Sequence, residues 1–176
     1  MSAAVELQQR KRLLEQGLTD PGVIARFWSL TRPTDTPCGV CWVGAITGRG
    51  HGRFWLGRTP AGKNVSVVAH RFAAGLVHGF DVINAKGAHC THACDEASCV
   101  RVGEGHIGIG TAASNSLEWR QRRSMLGSPL RDTRGARGRS LAGRAAALNG
   151  QSVAAALLAG LPELDRYQTV LPGIDQ

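Results

Sequence analysis

His92-Ala93-Cys94-Asp95-Glu96-Ala97-Ser98-Cys99, with His106 and Asn115 downstream, holds most of the chain's metal-ligating chemistry. Two thiols separated by four residues, with a histidine beyond them, have the spacing of half a tetrahedral zinc site. Zinc held in this way braces a loop. It leaves the histidine before the loop, His92, and the asparagine after it, Asn115, free for other chemistry, a pattern that suits metal-dependent phosphodiester cleavage.

The other half of the zinc site lies upstream, in Cys38-Gly39-Val40-Cys41. Two ligand sets are open on residue type and spacing: Cys41, Cys94, Cys99 and His106, or four thiolates with Cys38 in place of His106. Either set is complete, so the zinc is structural and has no open position for catalysis. It would join two sequence-distant segments where a small core is thin. Cys90, beside His89, falls outside the spacing and reads as a spectator. Five cysteines is an odd number with no secretory context, which disfavours a disulfide framework.

The net charge of +8 rests on 18 arginines and 3 lysines, so it is mostly guanidinium, which grips phosphate bidentately. Between residues 120 and 145 eight arginines face one aspartate, the footprint expected of a polyanion binder. No apolar run is long enough to span a bilayer and the N-terminus lacks a basic-then-apolar leader, so the expectation is a soluble cytoplasmic protein with no membrane partner.

The chain divides into an N-terminal helical arm (1–35), a core (36–126), and an Arg-rich arm with a C-terminal helix (127–176). Val5 to Gln16 reads as an amphipathic helix stopped by Gly17. Asp20-Pro21 reads as an N-cap followed by proline at the first helical position. From Val40 the pattern changes to short β-prone runs, Val40 to Ile46, Arg53 to Leu56 and Asn64 to Val68, separated by glycine-rich turns. A helix follows from Ala69 to Gly79. After the Cys/His loop come a short strand, Ile107-Gly108-Ile109, and a helix from about Ser114 to Met125 that Thr111 or Ser114 could cap. Gly127 to Arg144 reads as a mobile basic arm, and Leu141 to Leu161 as partly helical.

Phosphodiester hydrolysis needs a base for water, a cation for the charge that develops, and donors that position phosphate. His92 suits the first role, and its plainer reading is a zinc ligand or a structural histidine. Asn115 suits the second as a hard neutral oxygen ligand for hydrated Mg²⁺, and its plainer reading is a helix N-cap. His70, at a strand-to-helix junction, reads as a supporting residue. Arg53 and Arg58 flank an aromatic strand and are candidates for phosphate contact, as are Arg120, Arg122 and Arg123 after Asn115. His51, His78 and His89 read as surface residues.

In order along the chain, Cys41-Trp42-Val43-Gly44-Ala45, Gly50-His51-Gly52-Arg53-Phe54, Ala69-His70-Arg71, His92-Ala93-Cys94-Asp95, Cys99-Val100, His106, Gly110-Thr111 and Asn115 resemble the HNH, or His-Me finger, endonucleases. Within that group they are similar to the zinc-containing phage-type HNH and His-Cys box homing enzymes. The resemblance covers roughly residues 38 to 123. It implies an α+β fold with a ββα-metal core, a small antiparallel sheet, a structural zinc loop and helical extensions. It also implies His92 as general base, Asn115 as ligand of a catalytic Mg²⁺, and Cys41, Cys94, Cys99 and His106 as zinc ligands. Three departures stand out. Arg101 to Gly105 is two residues longer than the family's spacing before the zinc histidine. Thr91 replaces the aspartate that often precedes the catalytic histidine. No cysteine follows Cys99 for a second zinc.

The expectation is a DNA endonuclease with structural Zn²⁺ and catalytic Mg²⁺. A double-strand cut would call for a homodimer, whose contact the C-terminal helix could supply. The alternative is a non-catalytic zinc-stabilised DNA-binding protein, which would keep the cysteines and arginines but would not need His92 or Asn115. A third possibility is an enzyme or binder directed at RNA.

Overall fold

The computed structural model describes residues 3–168. Two helices open it, α1 (Ala3–Gly17) and α2 (Pro21–Ser29). Asp20 caps α2 as its place before Pro21 predicts, its Oδ1 accepting from the amides of Gly22 at 2.7 Å and Val23 at 3.1 Å. These helices are not a separate arm. Leu14 of α1 and Phe27 of α2 are buried in the main core, because helices this short are stable only when their apolar faces are covered.

The next strands, β1 (Thr31–Pro33) and β2 (Val40–Trp42), form an antiparallel hairpin. A second sheet has the order β3 (Ala45–Ile46), β4 (Gly52–Arg58), β5 (Asn64–Val68), all antiparallel. Strand β4 alternates as a half-buried strand should. Phe54 and Leu56 face the core, while Arg53 and Trp55 face out. Helices α3 (Ala69–His78) and α4 (Phe80–Asn84) follow. Phe27, Trp42, Phe54 and Phe72 meet at the centre with ring centroids 4.8–5.9 Å apart, all fully buried. Truncating any one of the three phenylalanines to alanine should cost about 3–5 kcal/mol.

Strands β6 (His89–His92) and β7 (Ile107–Gly110) pair antiparallel, with His92 opposite Ile107. The Cys/His loop joins them. Helix α5 (Ala112–Arg122) comes next and packs on β6. Thr111 is its N-cap and Ser114 closes the reciprocal capping box. The architecture is therefore α+β with small antiparallel sheets.

Gly127 to Arg144 is largely helical and tied down by ion pairs, contrary to the mobile arm expected from its Gly, Arg and Ser content. A 3₁₀ turn (Pro129–Arg131) leads to α6 (Gly135–Leu148), α7 (Val153–Leu158) and α8 (Glu163–Gln168). Acidic side chains and backbone carbonyls hold it in place. Arg131 makes a two-pronged bond to buried Asp165, and Arg134 and Arg139 both reach Asp132. Arg144 donates to the carbonyls of Val43 and Gly44, joining α6 to the strands. Much of the local positive charge is thus committed within the fold. Among the described residues no helix is long and apolar enough to cross a membrane.

Candidate functional site

The sulfur cluster forms first from local structure. Gly39, at φ +67°, lets the chain turn tightly between β1 and β2, and Cys38 sits in that turn. On the other side Cys94 and Cys99 bracket the loop after β6. His106 enters from a turn built on Gly103 and Gly105, both at positive φ, with the His106 amide bonded to the Gly103 carbonyl at 3.0 Å. That turn absorbs the longer spacer. The ligand atoms of Cys38, Cys94, Cys99 and His106 all lie within 4.8 Å of one another. Cys38, Cys99 and His106 are buried.

The zinc set named from the resemblance needs one correction. His106 belongs to the cluster and Cys41 does not. Cys41 lies in β2, where its backbone bridges that of Cys99, and Cys38 supplies the upstream thiol. Burial pushes the Cys41 thiol up to about 11, against the opposing charge of Arg32, so it stays protonated. In the cluster the reverse holds for Cys94. Hydrogen bonds from Cys38 and then Cys99 pull its thiol far below the ordinary value, and contacts with Cys94 and then Cys99 raise Cys38. Crowded sulfurs sharing too few protons are what a thiophilic cation resolves, and three thiolates with one imidazole are a standard set for tetrahedral zinc. The donor set therefore fits a structural metal such as zinc.

Two arginines clamp the loop between Cys94 and Cys99. Asp95 has φ 55°, unusual for a residue with a side chain, and Arg122 of α5 holds its carboxylate with bonds of 2.6 and 3.1 Å. The same guanidinium reaches the His92 carbonyl at 3.2 Å and Glu118 at 3.0 Å. Arg139 of α6, nine-tenths buried, grips Glu96 and Asp132 together. Of the arginines expected to contact DNA, Arg122 is instead committed to this loop. Arg53, Arg58, Arg120 and Arg123 are exposed. Arg53 donates to Ser66 and Arg58 to Asn64, and Arg123 lies over the Trp119 ring at 4.9 Å.

Beside the clamp is an open pocket of about 640 Å³. His92, His70, His51 and Asn115 all line it, with Arg49, Arg71 and Trp119. Asn115 is four residues into the capped helix, so it does not cap α5, and its side chain is available to the pocket. His70 follows Ala69 at the start of α3, as its junction position predicts. His51, expected as a surface residue, is half-buried and packs against the other two histidines. The ring centroids are 4.5 Å apart for His70–His92, 4.8 Å for His51–His70 and 5.5 Å for His51–His92. Glycines on either side make this approach possible. A Cβ on Gly52 would stand 2.6 Å from Trp42, and one on Gly50 2.6 Å from the Ala136 carbonyl. A histidine between two such glycines was the available signal in the sequence. Desolvation drives His70 down to about 2, and burial with the neighbouring His92 lowers His51, so both rings are neutral at physiological pH. Asp95 is the one carboxylate among the described lining residues, and Arg122 neutralises it.

No family model, no curated protein and no solved structure matches this chain.

Proposed function

We propose that this protein is a DNA endonuclease of the His-Me finger type, hydrolysing phosphodiester bonds at the pocket shared by His92 and Asn115. The observation that carries this reading is the convergence of those two residues, 23 apart in sequence, from β6 and α5 of a strand–loop–strand–helix unit braced by a Cys₃His cluster. The order β6, loop, β7, α5 is the order a ββα-metal core requires. His92 is the general base. Its ring lines the pocket, and its nitrogens, buried with the Cys94 thiol as a side-chain contact, are the proton acceptor in this reading. The Arg122 bond to its carbonyl and the rigid loop fix its direction. Asn115, with the substrate phosphate, would hold a hydrated Mg²⁺, which when bound supplies charge neutralisation at the leaving oxygen. Arg53 and Arg58 from β4, with Arg120 and Arg123 from the end of α5, are the contacts for the duplex backbone.

Cleavage of supercoiled plasmid tests this reading, with Mg²⁺ and with EDTA, using wild type and His92→Ala. Nicking or linearisation that needs Mg²⁺ and is lost in the variant is expected. Plasmid bound but intact in every condition would favour a zinc-stabilised DNA-binding protein instead, and tighter binding to duplex RNA than to duplex DNA at fixed salt would redirect the substrate.

A further inference from the structure

His51, His70 and His92 come from a glycine-flanked turn, the start of α3 and the end of β6, three segments with no sequence relation to one another. One ligand nitrogen from each lies within 4.8 Å of the other two. Tetrahedral coordination with metal–nitrogen bonds of about 2.0 Å needs nitrogens about 3.3 Å apart, so small side-chain rotations close the set. Hydrogen bonding fits the same use. His51 Nδ1 donates to the Ala97 carbonyl at 3.3 Å, since a carbonyl only accepts, and this leaves Nε2 as a lone pair. Backbone carbonyls orient metal-binding histidines in this manner. His70 Nδ1 is buried without a hydrogen bond, and the ring nitrogens of His92 are buried with only a contact to the Cys94 thiol, both side chains being more than nine-tenths buried. Orphaned buried nitrogens are costly, and a shared cation satisfies them together.

We propose that these three imidazoles form a second metal site, distinct from the Cys₃His cluster, that takes a borderline divalent transition ion such as Zn²⁺, Co²⁺ or Ni²⁺ in preference to Mg²⁺. Imidazole nitrogen suits these ions, whereas Mg²⁺ selects oxygen. Three protein ligands leave a fourth position open toward the pocket. Occupation of the site engages the His92 lone pair. Where His92 is the general base, as proposed above, the ion therefore acts as an inhibitor of the Mg²⁺-dependent reaction, competing for the base.

The test begins with protein carrying one equivalent of zinc, which fills the thiolate cluster first. Titration with Co²⁺ is followed by visible absorption and by equilibrium dialysis. One further equivalent of Co²⁺ is expected, with the d–d bands of a tetrahedral nitrogen site and no thiolate charge-transfer band. His51→Ala, and His51→Phe as a variant that keeps a ring in place, should weaken binding at least as much as loss of an outer-shell partner does, about 10- to 100-fold. Folding of both is checked by circular dichroism. Failure of wild type to bind a second equivalent, or equal binding by both folded variants, overturns the proposal. In parallel, micromolar Zn²⁺ should suppress plasmid cleavage in wild type more than in His51→Phe, each referred to its own Mg²⁺ rate. If no cleavage occurs at all, the nuclease reading fails while the Co²⁺ titration still decides the site. If cleavage proceeds but no second equivalent binds, the site fails and the nuclease reading stands.

Discussion

The molecule gathers metal-ligating side chains in two places, and the two differ in donor type, in closure and in what lies beside them. Cys38, Cys94, Cys99 and His106 supply three sulfurs and one nitrogen, enough ligands for a four-coordinate metal, shut in by a hairpin turn and by a loop that Arg122 and Arg139 clamp. His51, His70 and His92 supply nitrogen alone, one ligand short of a tetrahedron, and line an open pocket with Asn115. A complete set builds structure and an incomplete one leaves room for chemistry. His92 and Cys94 are two residues apart, so rigidity made by the first cluster passes directly to the second.

The largest effect should come from removing a sulfur ligand. Cys38→Ser should lose stoichiometric zinc and cooperative thermal unfolding, because in a small metal site binding free energy is folding free energy. Cys41→Ser should keep one zinc per chain in the same assay. Equal zinc loss in both would return Cys41 to the ligand set.

Smaller is the contribution of the clamp. Arg139→Met leaves Glu96 and Asp132 without their shared partner, and breaking a buried pair from one side costs about 3–5 kcal/mol. That corresponds to a drop on the order of 10 °C in the thermal midpoint at this chain length. An unchanged midpoint would mean that the loop is held by its metal alone.

The exposed arginines should affect binding rather than stability. For each of Arg120→Ala and Arg123→Ala, the slope of log affinity against log salt should fall by about one on duplex DNA. Arg122→Ala should instead lower the thermal midpoint, since its charge is bound to Asp95. If Arg122→Ala changes only the salt slope, its assignment to the loop is wrong.

The smallest effect concerns acid. Arg131 holds the Asp165 carboxyl below its usual range, so this pair stabilises the fold above about pH 4 and the contribution disappears as pH falls through the lower folded value. The midpoint of wild type should therefore decline more steeply below pH 4 than that of Asp165→Asn, with parallel curves near neutrality. Identical curves throughout would show that the pair contributes nothing.

Local chemistry made much of this fold legible in the sequence. Asp20 before Pro21, the β-prone run from Arg53 to Leu56 and a cap at Thr111 or Ser114 are each decided within a few residues; the structure has the first two and makes Thr111 the cap. The choice between Cys38 and Cys41 was harder, because both sit near one turn and strand pairing with Arg32 and Thr31 determines which thiol meets the loop. Arg139 reads as a basic surface residue until Glu96, 43 positions earlier, is brought against it. His51 was obscured in the same way. Its partners are 19 and 41 residues away, and only the tight packing at Gly50 and Gly52 brings it to them.

The most direct test of this division of labour is to measure zinc content and Mg²⁺-dependent plasmid cleavage together on His92→Ala. One zinc per chain, a wild-type thermal midpoint and no cleavage are the predicted results. Loss of the zinc held by the thiolate cluster would make His92 part of the structural centre, and retained cleavage would remove it from the chemistry; either outcome overturns the division of labour.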